Sequence, residues 1–495
     1  MAAPRMSFDF ALGSAAARGR RHDDGPFRLL LVADLGGARD TPLAQRKPLV
    51  VDIDNLDRVL ARIAPRLELT LDELPQRIDF SSLDDFHPDR LFARMPVFDA
   101  WRRLRAELED PAQFRRAAAA LGLQAPAAAA APPAAVADAA TDIERLLGRK
   151  ASAAAVPAAA PTPAADALQR WLQAMIAPHV TPDTASEQRA LLAAADQALS
   201  ATMRRVLHDP AFQTLEASWL AVDRLVRSLD LGESLQLQVL DAGVAELRHD
   251  VHAHAGDLSA SAVHRQFGAA GGASAESARW SLVVVDHAFG PEADDVRALA
   301  ALGAVAARTG CPVVANGLPA LAGAAGTPQL AEPRRWLAED DEALAAWQAL
   351  RGSPMAPWIG LVLPRVLLRL PYGAAGDRIT AFDFEEMPEP RDHRAYLWGG
   401  GAPALAVLAG LAVQQDPEAP AFAASLDLDD LPSHVYSEDG ERHQQPCAEL
   451  LMGEEAGQAL LQRGLMPWLS YRGRNAVRLL RWQSVAQPAQ ALQGL

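Results

Sequence analysis

Two arginines four residues apart, Arg365 and Arg369, are the side chains with the most potential for chemistry, because they interrupt an otherwise apolar stretch. A guanidinium that is buried with its apolar neighbours must be paired with an opposite charge. The carboxylates of Asp383, Glu385 and Glu386 follow downstream. We therefore predict structural ion pairs between the two arginines and these carboxylates. An active site built on the arginines is the alternative.

Three histidines could supply ligands to a metal ion. His249, His252 and His254 form an HxxHxH pattern. The surrounding sequence lacks a Cys, Asp or Glu arrangement that would complete a tetrahedral zinc site. We predict the solvated end of a helix here, and no metal site.

A cluster of aspartates, Asp52, Asp54 and Asp57, has the opening pattern of a calcium-binding loop. Such a loop needs glycine at its sixth position and glutamate at its twelfth, where this sequence has Asp57 and Ile63. We predict instead that the cluster precedes a helix, with Asp54 or Asn55 as its N-cap.

An enzyme would have its best candidate in Asp286, which ends a strand-like apolar run at a position where α/β sheets place their chemistry. The sequence has no Gly-rich phosphate loop beside it, and no GxSxG, GxGxxG, Walker A or HExxH motif. We predict no catalytic residue and no cofactor. A soluble α/β enzyme that uses Asp286 or the carboxylates of 382–386 stays an alternative.

Composition narrows the class of protein. The 495 residues suffice for two or three domains, and half of them are hydrophobic, as in globular proteins. A net charge of −15 argues against nucleic acid as the main partner. Cys311 and Cys447 have no CxxC partner, and the longest apolar run, 402–413, is too short to span a bilayer. We predict a cytoplasmic protein with no signal peptide and no membrane span.

The elements that must position these residues begin with a small N-terminal α/β unit, residues 1–121. Met6, Phe8 and Phe10 alternate with polar residues and predict a short strand, which pairs within its own domain or adds to the edge of a neighbouring subunit. The periodicity predicts strands at 27–35, 49–53 and 67–71, and helices over 56–64 and 96–121.

Residues 122–165 are rich in Ala and Pro and predict a linker. Within it, the segment 141–150 begins with a capping-box pattern and presents Ile143, Leu146 and Leu147 on one face. This segment is either a short helix that docks a partner or a transient helix without one.

Residues 166–495 predict a larger α/β domain with a helical lead-in. The strand that ends near Asp286 is followed by a helix over 291–308 and a strand over 311–317. This order predicts a βαβ unit with a parallel strand pair. The whole chain is therefore predicted to have a mixed α/β fold.

Several blocks of the sequence resemble one family. LPRVLLRLPYG (363–373), FDFEE (382–386) and DHRAYLWGGGAPALA (392–406) resemble, in this order, the large subunit of the type VI secretion contractile sheath, the TssC or VipB type. Residues 26–37, 42–69 and 82–96 resemble the small subunit of the same sheath, the TssB or VipA type. The chain is thus similar to a fusion of the two subunits.

The resemblance implies a structural protein that polymerises with other copies around an inner tube and contracts to drive effector delivery. It implies as partners the inner-tube protein, the baseplate, separate sheath subunits and a ClpV-type disassembly ATPase, which in this family grasps a helix similar in position to 141–150. The family's C-terminal extension has no counterpart before Leu495. A non-contractile accessory or assembly protein of the same machine is therefore an alternative.

Overall fold

The fold is that of a computed structural model, which describes residues 25–37, 40–71, 74–110, 112–120, 184–268, 279–374, 376–388, 391–416, 425–438 and 440–495. The chain forms two compact units. The first comprises Met1–Leu91, Val206–Arg378 and Glu386–Leu495, and the second comprises Phe92–Arg205 and Ile379–Glu385.

The strands, numbered in chain order, are β1 Phe27–Ala33, β2 Leu49–Val51, β3 Arg66–Leu71, β4 Leu74–Asp79, β5 Leu235–Asp241, β6 Leu282–Phe289, β7 Val313–Gly317, β8 Ile359–Leu363, β9 Val366–Leu367, β10 Trp398–Gly399, β11 Asp427–Leu428, β12 Val435–Glu438, β13 Glu441–Gln444, β14 Met466–Ser470 and β15 Val477–Leu479. The α-helices are α1 Leu56–Ile63, α2 Pro88–Arg94, α3 Asp99–Glu109, α4 Phe114–Ala120, α5 Thr184–Leu207, α6 Pro210–Ser228, α7 Val244–Ala253, α8 Ala262–Gly268, α9 Ala293–Thr309, α10 Ala345–Arg351, α11 Gly401–Gln415 and α12 Glu454–Gln462.

The first unit is built on a nine-stranded sheet in the order β11-β15-β14-β8-β7-β6-β1-β5-β2. Neighbouring strands from β5 to β14 are parallel, and antiparallel strands lie at both edges. A parallel sheet is covered on both faces, so its strands need apolar side chains in succession rather than in alternation. All five residues of β8 and of β14 are buried, in agreement with this rule. The predicted mixed α/β class is confirmed.

The predicted βαβ unit is also confirmed, because β6, α9 and β7 follow one another and the two strands pair in parallel. Helix α9 has Asp294 and Asp295 in its first turn, where carboxylates favour the positive end of the helix dipole. Asp295 also accepts a hydrogen bond from the Gly290 N–H (2.8 Å). The helix ends at Gly310, whose φ of +72° is a conformation that glycine adopts without strain.

The N-terminal part of the sequence contributes strands to the central sheet. Strand β1 lies between β5 and β6, with Leu29 opposite Leu237 on one side and Leu282 on the other. The last five residues of β1 are buried, because both edges of this strand are paired and both faces of the sheet are covered. Each compact unit therefore contains residues from both predicted domains, 1–121 and 166–495. The bounds of these domains stay a prediction about how the sequence is organised.

The apolar run 402–413 forms most of α11, a helix of the first unit that is buried on nearly all sides. Gly410 lets this helix approach Leu229 closely, since a Cβ at this position would lie 2.6 Å from a Leu229 methyl carbon. Within the described ranges, no helix combines the length and the apolar character that a membrane crossing needs.

The second unit is helical. Helix α3 buries Trp101 and Leu108, as its apolar spacing predicts. Helix α5 contacts it through Arg105, whose Nε lies 3.0 Å from Asp196 Oδ1. Burial raises the pKa of the Asp196 carboxyl, and Arg105 opposes that rise.

The single helix predicted over 96–121 is wrong. Helix α3 ends at Glu109, and α4 begins at Phe114. The break falls at Asp110, which takes an extended conformation (ψ 113°). Asp110 precedes a proline in the sequence, and the proline ring disfavours helical ψ in the residue before it.

Candidate functional site

A buried charge cluster is centred on Arg369, two residues after the end of β9. Its Nε and Nη2 atoms lie 2.6 and 3.2 Å from the two carboxylate oxygens of Glu216 on α6. Its Nη1 and Nη2 atoms lie 2.7 and 3.2 Å from the oxygens of Glu386. Both carboxylates are 1% exposed. One guanidinium fork thus holds two buried carboxylates, each through two hydrogen bonds, a geometry that arginine provides and lysine does not.

The surroundings of the two carboxylates push their pKa values apart. Burial raises the pKa of Glu216, and the attraction of Arg369 only partly opposes it. Burial also disfavours the charge on Glu386, but Arg369, the His208 imidazole and a hydrogen bond from the Tyr372 N–H (2.8 Å) outweigh it and lower its pKa to about 2. Glu386 therefore holds its charge more firmly than Glu216 does, because more donors point at it.

Arg365 lies near the surface and has a different partner. Its Nε and Nη2 atoms lie 2.9 and 2.6 Å from the oxygens of Glu449. The arginine side chain is 52% exposed, whereas that of Glu449 is 5% exposed. The backbone carbonyl of Glu449 also contacts His393 Nε2 (3.0 Å). This pair fixes the segment before α12 to the end of β8.

The structure places the five predicted ion-pair residues in different surroundings. Glu386 meets Arg369, as described above. Asp383 and Glu385 belong to the second compact unit, where their backbone carbonyls accept hydrogen bonds from Ser200 Oγ (3.2 Å) and Arg204 Nε (2.8 Å).

Sequence reasoning missed two of the carboxylates that pair with the arginines. Glu216 is separated from Arg369 by 153 residues, and Glu449 is separated from Arg365 by 84 residues. One signal could have pointed to Glu216. Glu216 lies among the buried residues of α6. A glutamate in such a position needs a cation as its partner.

The predicted end of the strand at Asp286 is wrong, because β6 continues to Phe289 after an irregularity in its pairing with β7. Asp286 lies at this irregularity, in a polar network rather than in an open site. Its Oδ1 accepts a hydrogen bond from Asn316 Nδ2 (2.8 Å), and Asn316 Oδ1 accepts one from the Ala402 N–H at the start of α11 (2.8 Å). A Cβ at Gly400 would lie 2.2 Å from Asp286 Oδ1. Burial raises the pKa of the Asp286 carboxyl, against the hydrogen bond from Asn316. The network ties the ends of β6 and β7 to the first turn of α11.

His249 and His252 lie in the C-terminal half of α7, and His254 is its C-cap residue. His254 Nδ1 lies 2.8 Å from the Asp250 carbonyl oxygen and 3.3 Å from Asp250 Oδ1. Across the described parts of the chain, no three His, Cys, Asp or Glu side chains are grouped so that they could hold a metal ion.

The aspartates before α1 form a turn. Asn55 is the N-cap residue by position, but its side chain does not accept from the helix N–H groups. It pairs instead with Asp52, accepting from the Asp52 N–H (3.1 Å) and donating to Asp52 Oδ2 (2.8 Å). The predicted N-cap position is therefore confirmed, but the Asn55 side chain bonds to Asp52, three residues earlier, instead of to the helix N–H groups.

Two of the predicted interaction segments lie outside the described residues. They are the strand of Met6, Phe8 and Phe10, and the helix of Ile143, Leu146 and Leu147.

A second polar cluster joins the segment between β1 and β2 to residues 241–266 of the first unit. Arg46 contacts both oxygens of Glu246 (2.6 and 3.0 Å) and donates to the Asp241 carbonyl (2.9 Å). Gln266 Nε2 donates to the carbonyls of Arg46 (2.6 Å) and Leu43 (3.0 Å). Together with β1, this cluster makes the N-terminal part an internal component of the unit.

Comparison with known proteins identifies the family. A sequence model of VipB, the EvpB-type tail sheath N-terminal domain, matches residues 189–486, more than half of the chain. The chain belongs to the VipB tail-sheath family. A second model, of the type VI secretion system protein VipA, matches residues 4–116. The resemblance to a fusion of the small and the large sheath subunit is confirmed.

A curated relative supports this assignment. The type VI secretion system sheath protein TssC1 of Pseudomonas aeruginosa (strain PAO1) is 25% identical over 322 residues, which are 63% of this chain and 64% of TssC1. The chain therefore spans less than two thirds of the length of that relative. In structural terms, a VipA-like strand, β1, lies between two VipB-like strands, β5 and β6. The chain thus combines a VipA-like and a VipB-like segment in one polypeptide.

Proposed function

We propose that this chain is a one-polypeptide sheath subunit, which polymerises with other copies around an inner tube and contracts to drive effector delivery. The observation that carries the proposal is the central sheet, in which a strand from the VipA-matching segment is hydrogen-bonded on both sides to strands from the VipB-matching segment. A covalent link between the two parts fixes their ratio at one to one and gives the second part an effective concentration of roughly millimolar order.

The proposed mechanism is mechanical and uses no cofactor. Force would come from a change in the contacts between subunits when the extended lattice rearranges. An enzymatic role for Asp286 has less support, because Asn316 and the crowding at Gly400 occupy the space beside its carboxylate. We infer that the role of Asp286 is to hold α11 against the sheet.

The partners are inferred from the family. They are other copies of the chain, separate sheath subunits, the inner-tube protein, the baseplate and a ClpV-type ATPase. We infer that the Met6–Phe10 strand serves contacts between subunits and that the segment 141–150 docks the ATPase. A cytoplasmic location is supported by the cysteine content, since Cys311 and Cys447 are both buried and have no CxxC partner in the sequence.

The decisive test is assembly of the purified chain, alone and with a candidate tube protein, followed by negative-stain microscopy and sedimentation. Filaments or rings of regular width are expected. A monomer or small oligomer under all conditions would overturn the self-sufficient sheath and favour the accessory or assembly role. A bound small molecule or metal in the purified chain would favour the enzyme alternative.

Matched variants sharpen this test. Phe8→Asp is expected to abolish filaments, because it puts a charge on the apolar face of the predicted strand. Ser7→Asp, on the opposite face, is the control and should assemble normally. Equal assembly of the two variants would remove the N-terminal strand from the proposed contacts.

The docking segment is tested by pull-down with a purified ClpV-type ATPase. Leu146→Asp is expected to lose binding because it breaks the apolar face of the predicted helix. Arg149→Ser, off that face, should bind like the parent chain. Binding that survives Leu146→Asp would contradict this part of the proposal.

A further inference from the structure

The buried cluster around Arg369 has one negative charge too many for its surroundings. Glu216 and Glu386 share a single guanidinium, so the three groups together carry a charge of −1 when both carboxylates are ionised. A net charge at a buried position is costly unless a further charge or a proton compensates it. The nearest further group is His208, whose Nε2 lies 3.5 Å from Glu386 Oε1. This nitrogen is buried and makes no hydrogen bond within the described residues.

Two other titratable residues near the cluster, Tyr372 and His87, have contacts of their own. The Tyr372 ring packs against the Arg369 guanidinium (4.2 Å), and its backbone N–H donates to Glu386. On the far side of Tyr372, His87 packs edge-on against the ring (5.1 Å) and lies 3.7 Å from Asp377 Oδ2. His87 thus has a carboxylate neighbour of its own.

The cluster lies where the chain enters the first unit. The chain passes from the second unit into the first between residues 205 and 206, and again between residues 385 and 386. His208 follows the first of these crossings, and Glu386 stands directly at the second. Arg369 binds Glu386 and also Glu216 on α6. This one side chain therefore holds residue 386, where the chain enters the first unit, against α6.

We propose that this cluster is a proton-dependent lock, which binds one proton when it forms and thereby holds the segments 206–208 and 386–388 against α6. The proton sits on Glu216, which is then a neutral acid, and its binding makes the cluster electrically neutral. It comes from solvent and returns there when the lock opens.

The direction of the pH effect follows from this charge balance. Burial raises the pKa of Glu216, and a group with a raised pKa in the folded state stabilises that state at low pH and loses this contribution as pH rises through the raised value. The lock therefore holds at mildly acidic pH and loosens toward alkaline pH.

Hydrogen–deuterium exchange of the full chain tests the lock at about pH 5, just above the ordinary glutamate pKa of about 4.3, and at about pH 9, well above it. After correction for intrinsic exchange, peptides that cover 206–210 and 386–388 should lose protection as pH rises, by up to about tenfold per pH unit. Strand β7 should keep its protection, because it lies away from the cluster in sequence and carries none of its residues. Equal protection of the two segments at both pH values would overturn the proposal.

Two variants separate the lock from a merely structural ion pair. Glu216→Gln removes the surplus negative charge, so protection of both segments should become independent of pH. A slope as steep as that of the parent chain would contradict the proposal. Should Glu216→Gln not fold, Glu386→Gln removes the same charge and gives the same test. His264→Gln, a half-buried histidine on α8, is the control and should keep the parent slope.

The same experiment on His208→Gln checks that the proton belongs to Glu216. The slope of protection against pH should be retained, because Glu216, Glu386 and Arg369 are all still present. Protection of both segments that no longer depends on pH in this variant would overturn the proposal.

Discussion

At the residue scale, the two arginines of the sequence show how the surroundings decide what the same side chain does. Arg369 is shared by two carboxylates that are 1% exposed, whereas Arg365 is 52% exposed and binds one. Breaking a buried ion pair costs far more than breaking a solvated one, because the remaining partner keeps its charge without water.

We expect Arg369→Lys to lower the free energy of unfolding by on the order of 3 kcal/mol, since an ammonium cannot make two bidentate contacts. Arg365→Lys is the matched control and should cost less than about 1 kcal/mol. Urea unfolding followed by circular dichroism measures both. Equal losses of unfolding free energy for the two variants would contradict the role that we assign to Arg369 as the partner of two buried carboxylates.

Glu386 predicts an acid limit to stability. Its pKa of about 2 in the folded chain lies below the value of about 4.3 for an unperturbed glutamate. A group whose pKa is lowered in the folded state stabilises that state at pH values above its unfolded pKa. This stabilisation is lost as pH falls toward the folded pKa, and here the loss amounts to roughly 2–3 kcal/mol.

The unfolding free energies of the parent chain and of Glu386→Gln should therefore converge as pH falls from about 5 to about 3. Glu233→Gln, in an exposed loop, should run parallel to the parent chain throughout. A constant gap between the parent chain and Glu386→Gln would show that the carboxylate is not held in its charged form.

At the scale of elements, the contact between α11 and the ends of β6 and β7 depends on a glycine. Gly400 caps α11, and a Cβ there would lie 2.2 Å from Asp286 Oδ1 and 2.3 Å from Asn316 Nδ2. Neither group can move freely, because each is hydrogen-bonded to the other.

Gly400→Ala is expected to destabilise the chain by about 1–3 kcal/mol through overpacking and loss of the network. Gly453→Ala is a close control, because Gly453 also caps a helix, α12, and a Cβ added there would meet no atom within 4 Å. Thermal unfolding should show a clearly lower midpoint for Gly400→Ala alone. Similar midpoints for the two variants would mean that the network adapts to the added carbon.

At the scale of the whole molecule, the chain joins two sequence segments in one sheet. The pairing of β1 with β5 and β6, together with the contacts of Arg46 to Glu246, links the residues before the predicted linker to the residues after it. The linker is not needed for these contacts, which are made by strands and side chains outside it.

Cleavage at a protease site inserted between residues 122 and 165 should therefore leave the two fragments together. We expect a single peak in native size-exclusion chromatography and two bands on a denaturing gel. The chain with the inserted site, left uncleaved, is the control. Fragments that separate without denaturant would show that β1 and the Arg46 contacts hold the two parts too weakly to act without the linker.

Local patterns in the sequence were enough to predict the class of fold, the family and most of the individual elements. The apolar runs of β1, β6 and β8 and the strand–helix–strand order around α9 can be recognised from neighbouring residues alone. Arg365 and Arg369 could also be recognised as residues that need anionic partners, because a guanidinium among apolar residues cannot be left unpaired.

The identity of those partners emerged only from the folded chain. Glu216 and Glu449 are 153 and 84 residues away from their arginines, and no periodicity in a sequence encodes a contact across such a distance. The position of β1 between β5 and β6 also emerged only from the folded chain. The sequence indicated that a strand with apolar residues on both faces must be covered, but not by which strands. Which strands cover it is a matter of global packing, and many distant residues contribute to that choice together.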